Sequence, residues 1–485
     1  MENKKQKNGE QSFLSFSQQR EHAERMDRLF VRAVGDEDVS RREANIKHFD
    51  LGANRYQAVV YSEPVHFRES EDGDWQEIDN TLEETVNAQG RPVLKNRANR
   101  MRVEFPRQMD GGSMAAVTSG GKTFSWRFEQ EVQPVQAKCR AGAELKQERL
   151  VKQAQKMARF AGRTPDSLRN ADLSAELETE QERRSDIARL KAENIYEEVL
   201  PGVSVRYTLN SEAVKEDIIL ANAQALDNAS LRLPKDFDYA VTEGQQLKVL
   251  DKATGAELFN MSTPVVYDAA GRETIADAVL TDCGEYVRMA YVIDPAFMAE
   301  AQFPVTIDPI INSTNPVHNI QDTTLGRGSS MTPYTENHMK IGKYNGSVDC
   351  VGLLKFNILA IPKACDTVIQ AVLQLAPKSS STSKYIGAYE VLKPWESETV
   401  NWLNFNPEDE ANISPDAIEC VKGSSNTWLN FDLTNLYRKW CTRNAAGASN
   451  NNGVAFRTPE NVSGDNYSEL YSSDDHRMLY VRSGC

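Results

Sequence analysis

The sequence is poor in the features that usually announce a function. No apolar run approaches the roughly 18 residues that a membrane-spanning helix requires, which excludes such a span. Seven cysteines are present and none forms a CxxC pair, which speaks against a zinc ribbon or a thioredoxin-like site. Six histidines are scattered without the HExxH spacing of a zinc-binding helix. GxSxG, P-loop, GxGxxG and EF-hand patterns are absent, so neither a nucleophile elbow nor a phosphate-cradling loop can be read. Met1 through Glu10 is polar and lysine-rich, and Phe13 and Leu14 do not open an apolar segment. No secretory signal peptide is readable there, so a cytoplasmic start stays open.

What the chain does have is length and acidity. It holds 485 residues, 40% of them apolar and 26% charged, with a net charge of −14. That length calls for about two to four domains, and the apolar share excludes a disordered acidic chain. The acidic balance argues against nucleic acid as a general partner, because phosphates need locally gathered Lys and Arg. Charge is unevenly spread: residues 1–312 carry 41 basic and 52 acidic side chains, residues 313–485 only 15 and 18. Four of the six tryptophans fall in the second stretch, so a domain boundary is expected near Ile311–Pro316.

Residues 1–48 read as an N-terminal arm, with a helix expected around Gln18–Val34, where Ala23, Met26, Leu29, Phe30 and Ala33 form a stripe. From Tyr56 the pattern turns to strands: Tyr56–Tyr61, Val65–Phe67, Trp75–Ile78, Met101–Phe105 and Thr123–Phe128, separated by turn residues. Residues 141–198 interrupt them. Glu144–Phe160 and Asp166–Val199 are expected to form a helical hairpin, broken at Gly162-Arg163-Thr164-Pro165. Strands resume from Val203–Leu209 to Phe303–Ile307, with one longer connection between Tyr267 and Tyr286. Residues 313–485 contain further strand candidates, Thr399–Trp402 among them, and a helical turn at Leu436–Trp440. The expectation is a mainly β protein: an antiparallel β-rich region over 49–312 carrying the helical insertion, then a jelly-roll-like β-sandwich over 313–485.

Chemistry is faint. Cys139 and Cys283 lack the electropositive flanks of a reactive thiolate. His66 lies within a strand, and Glu396 and Glu398, two apart beside Trp395, read as loop charge. A β-sandwich can hold calcium with carboxylates from adjoining loops, which makes Asp322 and Asp432 candidates for a structural site; Asp432 equally suits a cap for the turn after it. Aromatic faces pack against sugar rings. Trp402, Trp428 and Trp440 read as core, whereas Trp395, after Pro394 at a strand end, is expected to be exposed. Lys340, Lys343, Lys355 and Lys393 are the cations that could line a polysaccharide groove beside it.

The wording of the last domain is specific. Gly352-Leu353-Leu354-Lys355-Phe356-Asn357-Ile358 leads to Ile361-Pro362 and Ala371-Val372-Leu373-Gln374-Leu375. Trp395-Glu396-Ser397-Glu398-Thr399-Val400-Asn401-Trp402, Trp428-Leu429-Asn430-Phe431-Asp432 and Asn452-Gly453-Val454 follow in order. Together these resemble a DNRLRE domain. Upstream, Trp75-Gln76-Glu77-Ile78-Asp79-Asn80, Lys215-Glu216-Asp217-Ile218-Ile219-Leu220 and Val305-Thr306-Ile307-Asp308-Pro309 resemble the region that precedes such domains in RHS-type wall-associated bacterial surface proteins. The resemblance implies a non-catalytic β-sandwich acting outside the cell or at its surface. The reading is therefore a non-enzymatic structural or adhesion component, partnered by protein in a surface assembly. The alternative is a carbohydrate-binding module. Neither needs a cofactor beyond the calcium considered above.

Overall fold

Strict alternation builds the first long strands. In Lys122–Phe128 the side chains of Phe124, Trp126 and Phe128 are buried while those between them face out, and Val203–Asn210 repeats this with Val203, Val205, Tyr207 and Leu209. The computed structural model describes residues 36–141 and 189–313 apart from 62 and 71. Beyond these it describes 320–327, 338–344, 348–356, 368, 370–375, 377–380, 385–397, 399–422, 429–441, 451–459, 467–471 and 480–484. The helix expected at Gln18–Val34 and nearly all of the 141–198 insertion lie outside them. The mainly β expectation holds: the sheets are built from antiparallel pairs such as Val203–Asn210 with Ala213–Leu220 and Tyr385–Val391 with Ile413–Lys422. Among the described residues no helix is long and apolar enough to cross a membrane.

The chain divides into two units. The front unit comprises Val39–Ile46 and Tyr61–Ile320. One of its sheets runs, in spatial order, through Asp277–Asp282, Tyr286–Val292, Leu231–Pro234, Lys122–Phe128, Ala115–Ser119, Arg102–Pro106, Pro92–Ala98 and Asp79–Val86. The other is centred on Ala192–Leu200, Val203–Asn210 and Ala213–Leu220, joined by Val305–Asp308 and Ile310–Ser313. Their inner faces share one core, in which Phe105 stacks on Tyr207 at 4.8 Å and Phe124 on Phe259 at 5.9 Å between ring centroids. A polar clasp closes one side: Asn96 and Asn99 both donate to Asn80 Oδ1, and Asn80 Nδ2 donates to Leu190 O and Ser211 O.

The back unit takes in residues 47–60 as well as Gln321–Cys485. One sheet orders Ile46–Asp50, Tyr56–Tyr61, Tyr480–Gly484, Gln370–Leu375 and Leu429–Asp432; a second includes His338–Tyr344, Val348–Phe356, Tyr385–Val391, Ile413–Lys422, Val454–Arg457 and Tyr467–Tyr471. Phe431 of the first and Phe456 of the second meet at 5.3 Å. Gly453 permits a close approach here: its φ is +88°, and a Cβ would stand 2.1 Å from Leu354 O.

Three readings of local structure are corrected. Ala192–Leu200, expected as the end of a helix, is a strand paired with both Lys138–Ala141 and Val203–Asn210. Its charges are absorbed across strands, as Arg140 does for Glu193. Thr399–Trp402 is not a strand. Asn401 caps a short helix, Trp402–Phe405, accepting from the backbone of Leu403 and Asn404 while Asn404 returns the bond. The connection between Tyr267 and Tyr286 contains two strands, Glu273–Ile275 and Asp277–Asp282.

Candidate functional site

The densest chemistry in the front unit sits on the strand Ala213–Leu220, where three charges interrupt an apolar pattern. Alternation sends Lys215 and Asp217 to one face and Glu216 to the other. On the first face Lys215 Nζ reaches Asp308 Oδ2 at 2.6 Å and Asp217 Oδ1 at 3.4 Å, and Arg206 Nε donates to Asp217 Oδ2 at 2.7 Å. Arg140 Nε continues the ladder to Glu193 Oε1 at 2.7 Å. Three cations thus meet three carboxylates. Burial alone would lower the Lys215 ammonium, but Asp308 and Asp217 outweigh it and hold it above its ordinary value. Arg206 is raised in the same way, burial being overcome by Asp217. Both cations therefore stay charged near neutrality.

On the second face Glu216 points into the core and is fully buried. Trp126 Nε1 donates to its Oε1 at 2.7 Å, and the Tyr207 hydroxyl donates to the same oxygen at 2.8 Å. Among the described residues Oε2 is buried without a hydrogen-bond partner, and so is the hydroxyl of Tyr291. Burial pushes the carboxyl up to about 7, against the pull of its two donors.

In the back unit the structure brings some sequence candidates together and separates others. Trp395 is not exposed: it is buried, and its Nε1 donates to Asn452 O at 2.8 Å. Lys355 is buried against it, with Nζ 5.2 Å from the ring centroid, donating to Trp395 O at 2.7 Å and to Glu396 Oε1 at 2.9 Å. Lys393 lies over Phe405 and donates to Asn404 O, while Lys343 is exposed and Lys340 half-buried on their strand. Asp432 Oδ1 accepts from the Thr434 backbone at 2.9 Å, capping the helix Thr434–Cys441. Asp322 is buried on Ile320–Gly326. His66 is buried, with Nδ1 2.7 Å from Glu43 O, and a carbonyl partner makes that nitrogen the donor. Trp402 and Trp440 are core; Trp428 and Glu398 lie outside the described residues.

No protein-family model matches the chain. It does resemble tRNA nucleases. It is 22% identical over 454 residues to tRNA nuclease WapA of Bacillus subtilis (strain 168), a match taking in 89% of this chain and 17% of the relative. The tRNA3(Ser)-specific nuclease WapA of Bacillus spizizenii is 21% identical over the same length. The chain therefore spans 17% of the length of these WapA relatives. Their names overturn the expected non-enzymatic structural or adhesion role, together with its carbohydrate-binding alternative. They also stand against excluding nucleic acid: a net charge averages the whole surface and is blind to a local basic patch. Sequence reasoning passed over the Lys215-Glu216-Asp217 triplet as a site. Three successive charges inside a strand pattern buried on both faces were the available signal.

Proposed function

We propose that this chain acts in tRNA cleavage, as the β-rich portion of a protein built like the WapA nucleases. The observation that carries the reading is the reach of the match. At 89% of the chain it must run through both units, so the shared feature is the whole two-unit framework. The substrate class is tRNA, as in the relatives' names. The DNRLRE-like character of residues 313–485, the RHS-type character of the region before it and a place of action outside the cell or at its surface belong to the same proposal. Their support is the order of motifs from Trp75 to Pro309 for the upstream region and from Gly352 to Val454 for the last domain.

The test is direct. The protein bearing this chain, isolated from its native cells, is incubated with total tRNA, and fragment ends are mapped by sequencing. Discrete cleavage confined to one or a few tRNA species is expected. Intact tRNA, with the β-rich circular dichroism spectrum preserved, would overturn the proposal.

A further inference from the structure

The outer face of the front unit's first sheet carries an arrangement that sheet energetics disfavour. Arg127 on Lys122–Phe128 pairs directly with Arg232 on Leu231–Pro234. Arg232 in turn pairs directly with Arg288 on Tyr286–Val292. Directly opposed residues project from the same side of a sheet, and like charges so placed destabilise it. Trp126, Phe128, Leu231, Leu233 and Met289 take the core side, so the three arginines line the other. With strands about 4.8 Å apart, the row spans about 10 Å.

Compensation along the row is thin. Arg288 Nε donates to Glu129 Oε2 at 2.6 Å and its Nη2 to Ser230 Oγ at 3.0 Å. The Arg127 guanidinium donates to Gly111 O at 3.2 Å. Arg232 stands 4.3 Å over the Tyr286 ring, and its Nε is buried without a hydrogen-bond partner. The Tyr286 hydroxyl is itself fixed by donating to Glu129 Oε1 at 2.9 Å. Among the described residues neither Arg127 nor Arg232 has a carboxylate within ion-pair distance. Other cations of this sheet do: Lys95 has Glu104 at 3.0 Å, Arg97 has Glu83 at 2.7 Å and Lys122 has Asp251 at 2.9 Å. A chain with net charge −14 has acidic residues in plenty, yet among the described residues Glu129 alone is ion-paired to this row.

We propose that the row Arg127–Arg232–Arg288, braced by Tyr286, is a binding face for the phosphate backbone of RNA, with tRNA as the ligand. Guanidinium groups suit phosphate because their forked donors engage two oxygens at once. Three adjacent strands hold them in register, so little ordering is left for binding to supply. The bound phosphates would supply the counter-charge that the protein leaves out. The choice of RNA among polyanions rests on the proposed role in tRNA cleavage; the uncompensated row does not.

The experiment measures binding of the full chain to end-labelled total tRNA by fluorescence anisotropy over a salt series. Wild-type affinity is expected to fall steeply with salt. The triple variant Arg127→Gln, Arg232→Gln, Arg288→Gln is expected to bind at least about tenfold more weakly, with a slope shallower by about 2 to 3. Glu129→Gln, which frees Arg288, should bind more tightly. Removing opposed like charges should leave the glutamine variant melting at or above wild type. If it melts lower, the triple lysine variant, which keeps the charge, decides: retained salt-dependent binding supports the row, and loss overturns it. Unchanged tRNA affinity in a folded glutamine variant also overturns it, as does tighter binding of heparin than of tRNA through the same arginines. tRNA bound through the row but left uncut sinks only the cleavage role; tRNA cut without help from the row sinks only this inference.

Discussion

In the front unit Glu216 lies fully buried between two sheets; in the back unit Lys355 lies nearly as deep beside Trp395. Each position places an ionisable group where ionisation is costly, and the two surroundings answer differently. Around Glu216 stand Trp126, Tyr207 and Tyr291, with Asp217 next along the strand. Among the described residues none of these is a cation, one oxygen receives both donors and the other receives none, so burial raises the carboxyl to about 7 and favours the neutral acid below that pH. Lys355 instead donates to the surface carboxylate of Glu396 at 2.9 Å. The difference teaches how each core treats a charge: the first discharges it by protonation, the second balances it at the rim. The first should be sensitive to pH near neutrality.

The most damaging way to break the comparison is to remove the buried acid. Glu216→Ala takes the acceptor from Trp126 Nε1 and the Tyr207 hydroxyl and leaves a cavity in a shared core. A loss of about 3 to 5 kcal/mol at pH 5 is expected from the two stranded donors and the void together. Urea unfolding followed by tryptophan fluorescence measures it, and a loss below about 1 kcal/mol would show that the two hydrogen bonds carry little.

A gentler change isolates the proton. The folded Glu216 value, about 7, lies above the ordinary 4.5. Its stabilising contribution is therefore complete below about 4.5 and is lost as pH rises to about 7, in total roughly 3 kcal/mol. Glu216→Gln keeps an acceptor and cannot ionise, so its unfolding free energy should be flat across that window. Denaturant melts of both proteins at pH 5 and pH 8 supply the check. Parallel slopes would place the titration elsewhere.

The parts of this picture differ in how openly the sequence displays them. Lys122–Phe128 and Tyr286–Val292 are plain from alternation, because one face meets a core and the other water. Ala192–Leu200 is hidden because Glu193, Glu197 and Glu198 mimic an exposed helix, and only the partner strands reveal where those charges go. Asn401 shows the opposite failure: a two-residue period matched Thr399–Trp402, while the capping box decided the conformation. The buried acid is visible as an oddity between Lys215 and Asp217, but its isolation from cations depends on strands far along the chain. The arginine row is the least legible. Its members become neighbours only through the register of three strands, and no local pattern announces that.

The back unit supplies the milder contrasts. Lys355→Met keeps the apolar stem over Trp395 and removes the donor to Trp395 O and Glu396, which should cost about 1 to 2 kcal/mol at pH 7. Glu396→Gln should cost less, about 1 kcal/mol at most, since that carboxylate is 64% exposed and water screens the pair. Its pH dependence must also carry the opposite sign to that of Glu216. Burial would raise the Glu396 value, but the hydrogen bonds from Lys355 and Gln321 and the Lys355 charge hold it below the ordinary 4.5. The stabilisation is therefore present above about 4.5 and is lost only as pH falls through the lowered folded value. Between pH 5 and pH 8 Glu396→Gln should leave the stability profile parallel to wild type, the interval in which Glu216→Gln flattens it. A Glu396→Gln profile that changes slope inside that interval would mean that the back unit, too, holds a charge it must discharge.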